Sequence, residues 1–207
     1  RIVKRLCDVV LSAVGLLLTS PFFAVIALMI KCTDRGPVFY RQDRLTKDGK
    51  VFSICKFRTM IQDAEKHTGA RLASDHDDRI LPVGRFLRRT RLDELPQLWN
   101  ILKGDMSLVG PRPERPELAA EIEESIPEFA YRLKVKAGLT GYAQVYGKYN
   151  TTAYDKLKLD LTYIRKYSVF LDLKMILMTP KIMFLKESTE GVKEGAEDGE
   201  KSEFRLF

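Results

Sequence analysis

The feature that most restricts what this chain can fold into is an uncharged run of 22 residues from Val9 to Ile30. As a straight helix rising about 1.5 Å per residue, such a run would just cross the hydrocarbon core of a bilayer. Its middle argues against a straight crossing. Pro21 has no backbone donor and its ring clashes with the preceding turn, while the Ser20 hydroxyl can serve the backbone groups that are freed. Both flanks are basic, with Lys4 and Arg5 before the run and Lys31 and Arg35 after it, and basic residues favour the cytoplasmic face. Residues 1–36 are therefore expected to form a re-entrant helix-break-helix at Ser20 and Pro21, dipping into the cytoplasmic leaflet. A kinked spanning helix and a buried helix of a soluble protein are the alternatives. The run is too long for a secretory signal, and no small-residue cleavage site follows it.

The remainder divides into a catalytic-sized body, residues 37–186, and an acidic tail, residues 187–207. The tail holds seven acids against three bases, a net −4 that leaves +11 on residues 1–186 within an overall charge of +7. A body that basic attracts phosphorylated small molecules, anionic headgroups or nucleic acid. The tail, acidic and glycine-containing, is expected to be disordered. Cys7, Cys32 and Cys55 are odd in number and lack CxxC spacing, so neither a disulfide framework nor a zinc site is expected, and a reducing setting follows. Arg1 in place of Met suggests a piece of a longer chain.

Residues 38–58 predict a β-hairpin, with VFYRQ and VFSICKF as short strands around a turn at Asp48-Gly49. Helical patterns then dominate, in IQDAEKH, GRFLRRTRL, ERPELAAEIEESI, LKLDLTYIRKYS and the apolar LDLKMILMTPKIMFLK. ELPQLWNILKG is the cleanest, because Leu95, Leu98, Trp99 and Leu102 recur at helical spacing, Gly104 supplies a stop and Pro96 fits only the first turn. That places the helix start within a residue or two of Asp93. The expected fold is a small α/β domain, mostly helical with one antiparallel hairpin, seated on a membrane leaflet with adjoining amphipathic segments.

An acidic pair at a helix start, such as Asp93-Glu94, is ordinarily a cap and a first-turn acid. Its surroundings shift the balance. Arg88, Arg89 and Arg91 precede it, and SLVGPRPER follows the helix. Pro111 and Pro113 hold the backbone extended around Arg112, giving a restrained guanidinium fork suited to phosphate oxygens, and Gly110 permits close approach to a ligand.

LDELPQLWNILKGDMSLVGPRP resembles the bacterial sugar transferase family, the monotopic phosphoglycosyl transferases, together with KFRTM at residues 56–60, Ser20-Pro21 in the apolar segment, and AGLTGYAQV at residues 137–145. The resemblance extends over nearly all of residues 1–186. It implies that Asp93 attacks the β-phosphate of a UDP-sugar, expelling UMP, and that undecaprenyl phosphate then takes the sugar phosphate from the enzyme. It implies Mg²⁺ as cofactor, bound through the Asp93 and Glu94 carboxylates, with Glu94 either on the metal or handling the lipid phosphate. Arg88 and Arg112 are the phosphate-binding candidates, Lys56 and Arg58 candidates on the nucleotide side, and Gln144 and Tyr146 candidates for sugar or nucleotide contact. Lys56 and Arg58 have an equally good structural reading at a strand end. Segments ASDHDDRI and YNTTAYDKLKLDLTYIRKYS are closer to long members that carry further membrane helices upstream. Such enzymes begin exopolysaccharide or capsule units, which makes a UDP-hexose, glucose or galactose, the first expectation for the donor. A homodimer is compatible with the sequence.

Two other readings compete. Asp75-His76-Asp77 spells the D-x-D pattern of metal-dependent glycosyltransferases, but three residues are a weak signal and aspartates there are ordinarily caps or turn residues. A non-catalytic basic module for membrane or nucleic acid fits the charge. Aromatics are not interleaved with the basic clusters, however, and nucleic acid has no use for the apolar segment. His67 and His76 have no recognisable catalytic partner.

Overall fold

The computed structural model describes residues 2–64, 77–147 and 151–183. Asp75, both histidines and the acidic tail lie outside the described residues, as does most of the helix expected at IQDAEKH, of which only a turn at 62–64 is seen.

Helix α1, Ile2–Asp34, runs as one helix through Pro21. The expected interruption of the helix is therefore absent, and a local substitution explains why. Pro21 cannot donate to the carbonyl one turn earlier, that of Leu17. The neighbouring Ser20 Oγ donates to that same carbonyl at 2.8 Å. The backbone group orphaned by proline is satisfied without unwinding.

Both ends of α1 rest on the same globular body. Near the start, Lys4 Nζ donates to the Val109 carbonyl at 3.0 Å and pairs with Asp172 at 2.6 Å. Arg5 donates to the carbonyls of Ile101 and Leu102. The buried Asp8 accepts from Ser107 Oγ and the Leu108 amide. Near the other end, Ile26 and Ile30 pack with Phe57, Leu81 and Leu87, and Asp34 pairs with both terminal nitrogens of Arg58. Between these anchors Val10, Leu11, Val14, Leu17, Leu18, Phe22, Val25 and Leu28 remain exposed. One stripe of the helix meets protein, and the opposite side is an uncovered apolar surface.

The predicted hairpin forms from β1, Phe39–Leu45, and β2, Val51–Phe57, antiparallel with Phe39 opposite Phe57. Asp48 and Gly49 both take positive φ in the turn, where aspartate and glycine are best tolerated. α2, Pro82–Thr90, is followed by a 3₁₀ turn, Leu92–Glu94, and α3, Gln97–Lys103. The dyad thus sits in its own turn ahead of α3 rather than in the helix's first turn. Arg91 causes this: its left-handed φ of 53° ends α2 and redirects the chain, and Pro96 then stands at the N-cap of α3.

Asn100 ties α3 to the free edge of β2, accepting from the Cys55 amide and donating to the Ser53 carbonyl, each at 2.9 Å. β3, Ser107–Val109, pairs in parallel with β4, Gly138–Thr140. The backbones at this joint approach so closely that a Cβ on Gly138 would stand 2.1 Å from the Gly110 amide nitrogen. α4, Pro116–Ser125, leads into a 3₁₀ segment, Pro127–Lys134, and α5, Tyr142–Tyr146, α6, Ala153–Arg165, and α7, Val169–Met183, complete the order. α7 shares the Lys4 anchor through Asp172, and its Phe170, Leu173 and Leu177 are exposed at helical spacing. The fold is mostly helical with a short antiparallel hairpin, as expected, plus a parallel pair of three-residue strands that had no legible pattern.

Candidate active site

Four separate elements converge on the acidic dyad. The 3₁₀ turn carries Asp93 and Glu94, both buried. Lys56, from the end of β2, reaches Glu94 Oε1 at 2.8 Å, and Arg112, from the loop after β3, reaches the same oxygen at 2.8 Å. Arg88, from α2, is fixed by a hydrogen bond from its Nε to Thr59 Oγ1 at 2.8 Å, and its charge acts on Asp93. Five of the residues singled out from sequence, Lys56, Arg88, Asp93, Glu94 and Arg112, are thereby brought together.

The two acids have different states. Arg112 and Lys56 hold Glu94 well below the usual carboxylate range despite its burial, so it is an ionised bridge between two cations. Glu94 in turn raises Arg112 further above its ordinary range. Asp93 makes no hydrogen bond or ion pair among the described residues. Burial, then the charge of Glu94, pushes it up to about 6, against the opposing pull of Lys56, Arg88 and Arg112. A carboxylate that is buried, unpartnered and surrounded by three cations has the chemistry to attack an anionic electrophile. Nearly half of the Arg112 side chain remains exposed, leaving donors for a ligand.

Other candidates fall elsewhere. Arg58 is committed to structure: it pairs with Asp34, donates to the Pro37 and Met60 carbonyls, and fixes the end of α1 to the strand that carries Lys56. The Tyr146 ring packs on Tyr142 with centroids 4.5 Å apart, and its hydroxyl meets Met178 Sδ; no described contact joins it to the dyad. Ser20 and Pro21 stay on α1. Gln144 lines a cavity that adjoins Glu94. Asp77, the described member of the D-x-D pattern, spends both oxygens on Arg79, accepting from Nε and from the terminal nitrogen.

Several residues that shape the site escaped sequence reading. Arg132, buried, donates to the Arg112 carbonyl at 2.9 Å and pairs with the buried Asp160 at 2.8 Å. Together they clamp the Pro-rich loop from beneath. The signal was present: Asp160 stands on the inward face of α6 between Leu157 and Tyr163, and an acid at a core position needs a cation. Arg91, read earlier as one of a basic run, lines that cavity together with Glu94.

No group of three or more His, Cys, Asp or Glu able to hold a metal exists among the described residues. Among the described residues this site offers a divalent ion the two carboxylates of the dyad. That donor set fits Mg²⁺, which takes one or two carboxylates and draws its remaining ligands from phosphates and water.

Comparison with known proteins is consistent with this architecture. The profile of the family described as bacterial sugar transferase matches residues 1–186. The chain is 41% identical over 180 residues to the UDP-N-acetylgalactosamine-undecaprenyl-phosphate N-acetylgalactosaminephosphotransferase of Aeromonas hydrophila, covering 86% of this chain and 42% of that one. It is 42% identical over 184 residues to the UDP-glucose:undecaprenyl-phosphate glucose-1-phosphate transferase of Escherichia coli, covering 86% and 39%. It is 37% identical over 203 residues to the undecaprenyl-phosphate galactose phosphotransferase of Salmonella typhimurium, covering 90% and 41%. The chain spans about two fifths of the length of these relatives.

Replacing Asp160 by Ala should leave the buried Arg132 with Glu114, at 3.4 Å, as its remaining ionic partner and cost about 3 kcal/mol of stability. Denaturant unfolding of the two proteins measures the difference, and a loss under about 1 kcal/mol, the value of a surface pair, would contradict the clamp. Matched by that family's profile over residues 1–186, the chain belongs to the bacterial sugar transferase family.

Proposed function

We propose that this chain transfers a sugar 1-phosphate from a UDP-sugar to undecaprenyl phosphate through a covalent intermediate on Asp93. The observation that carries the reading is the buried, unpartnered Asp93 carboxylate among Lys56, Arg88 and Arg112. Relatives of about 40% identity are named as undecaprenyl-phosphate transferases of glucose 1-phosphate and of N-acetylgalactosamine phosphate. Their sugars differ, so the donor is assigned only as a UDP-hexose.

In the first step an Asp93 oxygen attacks the β-phosphorus. The bond from that phosphorus to the oxygen bridging the two phosphates breaks, and UMP departs with the electron pair. The sugar phosphate is left as an acyl phosphate on Asp93. A phosphate oxygen of the lipid then attacks the same phosphorus and returns Asp93 as a carboxylate. Arg112 and Arg88 supply fixed positive charge to the phosphate oxygens as charge accumulates on them. Lys56 is shared with Glu94, so Glu94 serves to hold two cations at the reacting centre. Mg²⁺, bound by the dyad and the donor's phosphates, would neutralise the diphosphate and ease departure of UMP.

Membrane placement follows from α1. A helix whose two ends are both fastened to one body cannot carry those ends to opposite faces of a bilayer. We therefore assign it a re-entrant course within the cytoplasmic leaflet, its exposed apolar side toward acyl chains. The acceptor's phosphate would then lie at headgroup depth, where a soluble nucleotide sugar can meet it. The D-x-D reading loses ground because Asp77 is held by Arg79, and no observation favours nucleic acid as a partner.

Three outcomes are expected. Incubated with radiolabelled UDP-sugars and no lipid, the protein should retain labelled sugar phosphate and release UMP, whereas Asp93→Asn should do neither while still partitioning into membranes; UDP as the product would refute the mechanism. The attacking carboxylate must be ionised, so the rate of the first step should rise with pH to a break near 6 and level off above it; a profile flat through that range would contradict attack by Asp93. Finally, an impermeant thiol reagent should reach Cys32 and an introduced Ile2→Cys from the same side of sealed vesicles, and labelling from opposite sides would establish a spanning helix.

A further inference from the structure

A cavity of about 140 Å³ opens beside Glu94, between the dyad turn, β4 with α5, and the end of α7. Its walls are largely apolar, from Leu95, Leu139, Val145 and Ile182, with Thr140, Gln144 and Thr179 as the polar insertions and the charged Arg91 and Glu94 completing the lining. Drug-sized sites run to roughly 300–1,000 Å³, so this one has room for a single ring and not for a whole nucleotide sugar.

The hydrogen-bonding state of its polar groups is one-sided. Thr179 Oγ1 donates its proton to the Met175 carbonyl at 2.7 Å. In the 2.7 Å contact between Thr140 and Thr179 the donor must then be Thr140. Both hydroxyl protons are spent, and only lone pairs are left over. Gln144 directs Nε2 to the Leu139 carbonyl at 3.3 Å. Its buried Oε1 has no partner. Rotating the amide by half a turn would set oxygen against the Leu139 carbonyl, so the orientation is determined by its surroundings. Gly141 makes room for that oxygen, since a Cβ there would stand 2.5 Å from it. A buried acceptor without a donor costs about 1–3 kcal/mol, and a binding site is one place where such a cost is recovered.

We infer that this cavity receives the sugar ring of the donor, with Gln144, Thr140 and Thr179 accepting hydrogen bonds from its hydroxyls. This deepens the transfer reaction proposed above and rests on it for the position of the attacked phosphorus. Three acceptors, against the one Gln144 N–H that the Leu139 carbonyl leaves over, suit a ring of hydroxyl groups. They do not suit the phosphate of the acceptor lipid, which itself brings oxygen lone pairs. Uracil has an N–H to offer, but it lies beyond the ribose and the α-phosphate from the atom that Asp93 attacks, whereas the sugar is bonded to that phosphate. The cavity borders the dyad itself. The apolar walls match the C–H faces of a pyranose, and the three acceptors make Gln144 and Thr179 determinants of which hexose is accepted.

The test is calorimetric titration in an Asp93→Asn background, which removes turnover, with UDP-glucose, UDP-galactose, UDP-N-acetylgalactosamine and UDP alone. At least one UDP-sugar should bind more tightly than UDP. Thr179→Val and Gln144→Met should each reduce that advantage by about tenfold, the scale of one lost hydrogen bond, and leave UDP affinity unchanged. Thr179→Ser should restore it, which a folding defect would not allow. Equal weakening of UDP and UDP-sugars would place the nucleotide or a structural role at these residues, and equal binding of all four ligands would leave the cavity to water; either result overturns the assignment. UMP release by the unsubstituted protein reports separately on the reaction. Its absence would retire the transfer mechanism with the binding ratios still readable, and its presence with unchanged ratios would retire the sugar pocket alone.

Discussion

The Glu94 carboxylate, held between Lys56 and Arg112, is the interaction around which the rest of this structure is arranged. Its one oxygen accepts from both cations at 2.8 Å, joining the end of the hairpin to the Pro-rich loop across the dyad turn. Desolvating a carboxylate is expensive, and here the expense is met by two charge-assisted hydrogen bonds instead of one. The same arrangement contributes to the state of its neighbour. Burial first, and then the charge of Glu94, lets Asp93 retain its proton to a higher pH than an exposed aspartate would.

Everything that supports this pair is fastened in depth. Asn100 fixes β2 to α3 and thereby Lys56 to the dyad turn. Arg132 and Asp160 hold the carbonyl of Arg112. Lys4 reaches from α1 to the carbonyl of Val109, at the end of β3 just ahead of the loop that bears Arg112. Arg91 takes a left-handed conformation that costs a non-glycine residue about 1–2 kcal/mol, and the turn it produces is what separates the dyad from α3. Strain of this kind at a reacting centre is expected where surrounding contacts overdetermine the backbone.

How much of this could be read beforehand varied with how local the cause was. The hairpin was legible because Asp48-Gly49 carries its own turn chemistry, and α3 because Leu95, Leu98 and Trp99 repeat at helical spacing. The dyad and Arg112 were legible as a constellation. Arg58 was not distinguishable from Lys56 two residues earlier, since strand alternation would put both on one face; β2 ends at Phe57, and beyond it Arg58 turns to Asp34 and not to Glu94. Only the position of Asp34 decides that Arg58 is an anchor. The β3–β4 pair is three residues long in each strand, too short for any periodicity, and it depends on glycines whose meaning appears only when two backbones meet. Pro21 was read correctly as a liability and incorrectly as a break, because whether Ser20 would reach the Leu17 carbonyl depends on a rotamer and not on composition.

The fastening of α1 at both ends has a consequence for how the protein experiences lipid. A helix that spans a bilayer must match its hydrophobic length to the full thickness, tilting or distorting the lipid when it does not. On the proposed re-entrant course α1 has no far interface to match. The distance from headgroups to Asp93 would then be fixed by protein geometry, as a float fixes the waterline of a hull, and membranes of different thickness would present that carboxylate at the same depth.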